Sequence, residues 1–367
     1  MTSYRVGIIG CGGIAHAHAK AYLELELDIV AAADVKNEQL GKFRELYGVD
    51  NLYDDHRQML GKEELDIVSI CTWPPLHSEM TVDAAEAGVK GILCEKPMAT
   101  CLAEADRMLE ACDKTGAELA IGHVYRFWEA YIEAGRLISR NAIGEITFIH
   151  GISAGDLLSD GTHIVDLISF FAGDPPVNWV IGQIDAHERR RRYGHYVEDA
   201  GIFYLESKNG VRAFIELSQI SGNQPSLGHV GFTEESLFKD LNRARSVDWW
   251  KKGSKYCTAY IDGTEGRIEV GKWERPQLRF KLKGDTDWQV PHLGGGPDPI
   301  RREIEALVES VEENKEHPCS GRKGRRALEV LMAVFESSRR REMIVFPLNV
   351  PYHPLTEMIE KGEIQCL

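Results

Sequence analysis

Two short clusters in this sequence carry side chains suited to moving a proton. The first is Cys94-Glu95-Lys96-Pro97, which closes a short apolar run. A lysine that is partly desolvated beside a positive charge has its neutral form favoured. It can then hydrogen-bond to a hydroxyl or exchange a proton with it. Glu95 is the natural partner to position Lys96. The second cluster is Asp160-Gly161-Thr162-His163-Ile164-Val165-Asp166. Here Asp160 is expected to cap a following helix, which leaves His163 in the first turn. An imidazole has the ordinary pKa of a general base at neutral pH. Asp166, three residues on, shares that helix face and either orients the ring or stabilises a domain junction.

A third cluster binds rather than reacts. Gly10-Cys11-Gly12-Gly13-Ile14-Ala15 follows a strand-like run and opens a helical one. Gly10 permits a tight turn, Gly12 lets the backbone approach a pyrophosphate, and the small Ala15 lets the helix pack on its strand. The N–H groups and positive dipole end of the helix at Gly13 and Ile14 then face the phosphates. Asp34 ends the next apolar run, 24 residues after Gly10. That is near the spacing at which an acid meets the adenosine ribose of a dinucleotide. A carboxylate there accepts from the 2′-hydroxyl and repels a 2′-phosphate, so NAD is the expected cofactor. NADP is a lesser alternative, left open by Lys36.

The elements that must position these clusters follow from periodicity. Apolar runs at Val6–Ile9, Asp28–Ala33, Ile67–Cys71, Gly91–Cys94 and Leu119–Ile121 alternate with helical patterns at Ile14–Leu25, Asn37–Tyr47, His77–Ala87 and Leu102–Thr115. Such alternation builds βαβ units and a parallel sheet buried on both faces. Ligands bind at the carboxyl ends of such strands, which turns Lys96 into the cleft.

After His123 the pattern changes. A helix is expected over Tyr131–Ser139 and another over Thr162–Phe171, with strands at Ile146–Ile152, Val177–Gln183, Ala200–Leu205, Val211–Ser218, Tyr256–Ile261 and Arg267–Val270. Strands without intervening helices predict an antiparallel sheet. A helix-like stretch lies between Ser236 and Lys252, helices return at Ile300–Glu313 and Arg325–Arg340, and the last residues read as a docking tail. The expected fold class is α/β, with a Rossmann domain over 1–123 and an α+β domain over 124–367 carrying a large open, mainly antiparallel sheet.

Bulk composition narrows the function. A net charge of -14 argues against nucleic acid and anionic membranes as partners. No apolar stretch reaches the roughly 18–20 residues that span a bilayer, and the run Val6–Ile9 close to Met1 is expected to be a strand and not part of a signal peptide. The eight cysteines lack CxxC spacing or zinc-type pairing with histidine. Reduced thiols, a cytoplasmic location and no metal site are the expectation.

The motifs together resemble the glucose–fructose oxidoreductase/inositol dehydrogenase (Gfo/Idh/MocA) family. The matching features are the Val6–Ala15 fingerprint, Thr72-Trp73-Pro74-Pro75-Leu76-His77, Glu95-Lys96-Pro97, Tyr125-Arg126-Phe127, Gly161–Asp166, Gly263-Thr264-Glu265-Gly266-Arg267-Ile268 and Ser337-Ser338-Arg339. The resemblance implies an oxidoreductase that moves a hydride between nicotinamide and a hydroxyl-bearing carbon of a sugar or polyol. It implies a cis Lys96-Pro97 bond, a catalytic pair of Lys96 and His163, and a homodimer or homotetramer formed through the open sheet. Cofactor contacts are expected from Gly10, Gly12, Gly13, Ile14, Asp34, Thr72, Trp73, Pro74, His77, Glu95 and Lys96.

One position departs from the family pattern. Many members carry a catalytic Asp four residues before the histidine; here that residue is Ser159, and the acid follows at Asp160. Either Asp160 reaches the site from a shifted backbone or the protein works without that carboxylate. Tyr125, Arg126 and His195 are expected pocket members. The run Arg189–Arg192 suits an anionic substrate such as a uronate, although a solvated or subunit-contacting loop is the preferred reading. Two alternatives stand beside the dehydrogenase. One is an NAD-dependent glycosidase that oxidises, eliminates and re-reduces; the other is a non-catalytic NAD-binding regulator.

Overall fold

The computed structural model describes residues 4–187, 190–218 and 255–364. The helix-like stretch expected between Ser236 and Lys252, and Arg189, lie outside them. The chain forms two compact units. The first comprises Met1–Glu129, Tyr193–His195 and Gly295–Leu328; the second comprises Ala130–Arg192, Tyr196–Gly294 and Glu329–Leu367.

In the first unit six parallel strands lie in the order β3-β2-β1-β4-β5-β6. They are β1 (Arg5–Ile9), β2 (Asp28–Ala33), β3 (Asn51–Tyr53), β4 (Ile67–Ile70), β5 (Gly91–Cys94) and β6 (Glu118–Ile121). Helices α1 (Gly13–Glu24), α2 (Asn37–Tyr47), α3 (His56–Lys62), α4 (Pro74–Glu86) and α5 (Leu102–Thr115) connect them. Every residue of β4 and β5 is buried, which explains their unbroken apolar runs. The elements β3 and α3 went unanticipated, because a three-residue edge strand shows no periodic pattern of its own.

The register of this sheet sets the site. Ala33 pairs with Ile9, Ile9 with Ile70, Ile70 with Cys94, and Cys94 with Ile121. Five strands therefore end in one row. The residues that follow them leave the sheet along a single edge.

Residues 295–328 group with this unit, whereas a cut at 123/124 assigns them to the other. The reason is apolar burial. Ile304 and Leu307, on α8 (Pro299–Glu313), are fully buried in one cluster with Val6, Ile8, Ala15, Ala19 and Tyr22. The alanines of α1 leave room for that helix. Arg302 fixes it further, donating to Glu129 at 2.7 Å, and an Ala120–Ser320 bridge covers the outer edge of β6.

The second unit holds α6 (Glu129–Ser139) from Ala130 onward, β7 (Ile146–Ala154), α7 (Thr162–Phe171) and β8 (Val177–Asp185). After these come β9 (Arg190–Arg192), β10 (His195–Val197), β11 (Ala200–Ser207), β12 (Arg212–Ser218), β13 (Thr258–Gly263), β14 (Gly266–Val270) and β15 (Leu278–Leu282). Later come α9 (Gly321–Arg340), which ends here, then β16 (Ile344–Val345) and α10 (Pro354–Glu360), the latter within the expected tail. The large sheet runs β15-β14-β13-β7-β12-β11-β8-β16. Its pairings are antiparallel except β7 with β12. Side chains alternate across it: Ile149, Ala213, Ile215, Phe203, Leu205, Ala259 and Ile261 are buried on one face. On the other, Trp179 stacks on Tyr204 at 5.5 Å, Phe148 on Tyr204 at 6.2 Å, and His150 lies between Phe214 and Tyr260. Among the described residues no helix is long and apolar enough to cross a membrane.

Candidate active site

The glycine turn leaves β1 with its geometry fixed by sterics. Gly10 has φ +86°, and a Cβ there would lie 2.8 Å from Thr72 Cγ2 and 2.9 Å from the Cys71 carbonyl carbon. Only glycine fits. At Gly12 and Gly13 a Cβ would meet nothing within 4 Å, so the turn faces open space. The first turn of α1 has no side-chain cap and no acidic residue, which leaves its N–H groups for an anion. Asp34 locks the turn from the neighbouring strand: its carboxylate accepts from the Cys11 N–H at 2.7 Å and from the Lys36 N–H at 2.8 Å. Each oxygen retains lone pairs for ribose hydroxyls. Ile14 and Trp73 are apolar yet 39% and 38% exposed at this edge. These features fit a dinucleotide laid along the strand ends.

The loop after β4 reaches α4 through Thr72 and Trp73, with prolines at the first two helical positions. The loop after β5 carries Lys96, and its Lys96-Pro97 bond is cis. His77 ties the two loops together. Its Nδ1 lies 2.9 Å from the Pro97 carbonyl oxygen and its Nε2 3.1 Å from that of Thr72. The ring is completely buried, and burial holds its pKa below the usual histidine value. A neutral ring donates to one of these carbonyls. His77, expected among the cofactor contacts, is thus occupied in setting two loops. Glu95 is likewise engaged through both oxygens, accepting from His18 at 3.0 Å and from the Lys96 backbone N–H at 3.2 Å.

Three further expected residues lie in the first unit. Tyr125 and Arg126 are buried in a 3-10 turn, Val124–Phe127, just beyond β6. Arg126 lies close enough to His317 for its charge to help lower that ring's pKa. His195 is 6% exposed at the start of β10. Beside it, Tyr193 (φ 49°) and Gly194 (φ +85°) form a tight turn. The Tyr193 ring meets Trp73 edge-on at 6.3 Å, and Gly194 sits against Pro75.

His163, Asp160 and Arg192 belong to the second unit. His163 is the second residue of α7 and 3% exposed. Asp160 does not cap that helix. It lies in a π-helical turn, Leu157–Gly161, and the turn's own N-cap is Asp156, whose carboxylate accepts from the Ser159 N–H at 2.7 Å. Asp160 instead accepts from Arg192 Nη1 at 2.5 Å and from the Tyr256 hydroxyl at 2.8 Å. The same Arg192 atom donates to Asp156 at 2.8 Å. The wider turn has displaced the carboxylate into an ion-pair network, and Gly155 makes room for it, since a Cβ there would overlap Asp160. π turns of this kind recur at functional sites.

The arginine run is a correction too. Arg190–Arg192 is a strand paired with His195–Val197, not a loop. Arg192 is consumed by two buried carboxylates, and Arg191 stacks over Tyr196 at 4.3 Å. Neither is left as a dedicated anion receptor. Tyr256, Asp156, His18 and Ser69 were missed by sequence reasoning. Each looks ordinary in its own segment, and only partners distant in sequence reveal it.

Comparison with known proteins places these features in context. Residues 4–123 match the family model described as oxidoreductase family, NAD-binding Rossmann fold, and residues 148–346 match the model of the C-terminal alpha/beta domain of the same oxidoreductases. D-apiose dehydrogenase of Paraburkholderia graminis is 30% identical over 236 residues, covering 59% of this chain and 61% of that protein. Myo-inositol 2-dehydrogenase of Thermotoga maritima is 31% identical over 281 residues, covering 70% and 83%. Among solved structures, the WlbA dehydrogenase of Bordetella pertussis in complex with NADH and UDP-GlcNAcA superposes with a TM-score of 0.74. Identity there is 20%, and 95% of this chain and 100% of that chain are covered.

Proposed function

Because this chain belongs to the Gfo/Idh/MocA oxidoreductase family, we propose that it is an NAD-dependent dehydrogenase of a sugar, polyol or sugar derivative. The observation that carries this reading is the row of flush strand ends. From that row the open glycine turn, Asp34 and the Lys96 loop all emerge. Gly12, Gly13 and Ile14 would hold the pyrophosphate and Asp34 the adenosine ribose, with Trp73, Pro74 and Lys96 serving the nicotinamide end. When bound, NAD accepts the hydride or returns it.

The chain's own task is to hold the carbinol and manage its proton. Lys96 and His163 hold the reacting hydroxyl, and one of them takes its proton. Asp160 serves differently: with both oxygens engaged by Arg192 and Tyr256, it steadies the turn before His163 instead of acting as a third acid. His195 and Arg126 contribute to the pocket. The partly exposed aromatic face of the large sheet, with Trp179, Tyr204, Phe148 and Phe214, is where a second copy of this chain docks, as such apolar patches do. The protein works in the cytoplasm as a homodimer or homotetramer.

The test is NADH production from inositols, pentoses, aldoses, uronates and glycosides, with product analysis. Net NADH with one of them supports a dehydrogenase. Aglycone release without net NADH, or NAD binding without turnover on any of them, overturns the reading. Sedimentation of the parent and of Tyr204→Asp, expected as an oligomer and a smaller species, tests the interface.

A further inference from the structure

A line of hydrogen bonds, buried at its inner end and partly buried at Glu95, runs to the backbone of Lys96. It begins at Tyr22 of α1, whose hydroxyl lies 2.7 Å from Ser69 Oγ in β4. Ser69 Oγ lies 3.0 Å from His18 Nδ1, and His18 Nε2 lies 3.0 Å from Glu95 Oε1. The other carboxylate oxygen, Glu95 Oε2, accepts the Lys96 N–H at 3.2 Å. Tyr22, Ser69 and His18 are wholly buried.

Proton counting gives this line a direction. Burial pushes the Glu95 carboxyl up, but the His18 bond and the nearby charge of Lys96 bring it below the usual range, so it is an acceptor. Nε2 of His18 must then carry a hydrogen. The arrangement in which every proton has an acceptor leaves Nδ1 bare, Ser69 donating to it, and Tyr22 donating to Ser69. Burial raises the Tyr22 pKa strongly, which keeps that hydroxyl a donor. Four polar groups are costly to bury and are kept only as a fully satisfied set. A second feature agrees: a Cβ at Gly122, where β6 ends, would come within 3.1 Å of Glu95 Oε1. The neighbouring strand has left that space to the carboxylate.

We propose that His18 is a positioning residue for Lys96. Oriented by Ser69 and Tyr22, it fixes the Glu95 carboxylate, which in turn fixes the peptide that presents the lysine. This rests on the reading of Lys96 as the residue that handles the substrate's proton.

The test uses the full chain with NAD and myo-inositol, D-apiose or methyl glucoside, in His18→Leu, His18→Gln, Ser69→Ala and Lys96→Ala. A lysine displaced by about 1 Å loses on the order of a hundredfold in rate. Accordingly kcat falls about a hundredfold in His18→Leu and about tenfold in Ser69→Ala, with NADH affinity within about threefold of the parent. His18→Gln, which still donates to Glu95, recovers part of the loss. Ser69→Ala removes one oxygen atom, so it reports even if His18→Leu fails to fold. Nitrogen-15 NMR of the ring needs no substrate: the parent shows the Nε2–H tautomer, and Ser69→Ala shows a mixture. Parent kcat in both His18→Leu and Ser69→Ala, while Lys96→Ala is inactive, overturns the positioning role alone. An Nδ1–H tautomer in the parent overturns it as well. Parent turnover in Lys96→Ala instead removes the lysine's assignment, and the positioning role with it.

Discussion

The glycine turn of the first unit and the Leu157–Gly161 turn of the second solve one problem by opposite means. Each must hold a bend of the chain in one fixed geometry. The first does so with backbone: Gly10 adopts φ +86° where a Cβ would collide with Thr72, and Asp34 holds the Cys11 N–H from one strand away. The second does so with side chains, drawing Arg192 and Tyr256 from 32 and 96 residues away onto Asp160. A site made of backbone depends on what a residue lacks. One made of ion pairs depends on partners that no local window contains.

The comparison can be broken at several points. The largest effect is expected at the proposed catalytic pair: Lys96→Ala and His163→Ala should each lower kcat about 10²–10⁴-fold, as loss of a proton-transfer group does. Calorimetry should find NADH affinity nearly intact, and a parallel loss of binding would mean the residues serve the cofactor. Next comes Gly10→Ala, where a strained φ and a backbone collision should cost about 3 kcal/mol in urea denaturation. Gly12→Ala should leave stability within about 0.5 kcal/mol while weakening NADH binding. Equal stability of the two variants would show that the turn tolerates a side chain.

Arg192→Ala strands two buried carboxylates. Because the guanidinium is 31% exposed, the loss should be nearer 2 kcal/mol than the 3–5 of a fully buried pair. Adding Asp160→Asn should recover part of it. Strict additivity of the two changes would deny the network. An effect confined to acid pH concerns His317, which burial holds at a pKa of about 4 against an ordinary 6.5. The folded state keeps this ring neutral, its Nδ1 accepting from the Cys319 N–H and its Nε2 donating to the Glu303 carbonyl. Its penalty is absent above pH 6.5 and grows as pH falls from 6.5 toward 4, because the unfolded chain binds the proton first. Removing the ring with His317→Gln should flatten stability across that window, and an unchanged slope would assign the acid limb elsewhere.

The first sheet was legible in the sequence because buried parallel strands write unbroken apolar runs, and β1, β2, β4, β5 and β6 fall within a residue or two of those runs. The glycine turn was legible for a related reason: its place between a strand and a helix follows from position along one βαβ unit. The short β3 and the strand Arg190–Arg192 were not, since three residues carry no period and four consecutive arginines read as solvated. The place of Asp160 was also hidden, because its partners come from a different hairpin and from the bend just before β13.

By itself, then, the sequence determined the alternation of elements, the glycine turn and the residue types available for proton transfer, because each depends on neighbours within a few tens of residues. Tertiary structure alone decided that residues 295–328 complete the first core, that Arg192 is consumed by two carboxylates, and that a histidine in the first helix stands behind the lysine's peptide. Those outcomes hinge on which buried polar groups find partners across the fold, and a low-dielectric interior enforces that pairing without leaving any local pattern in the chain.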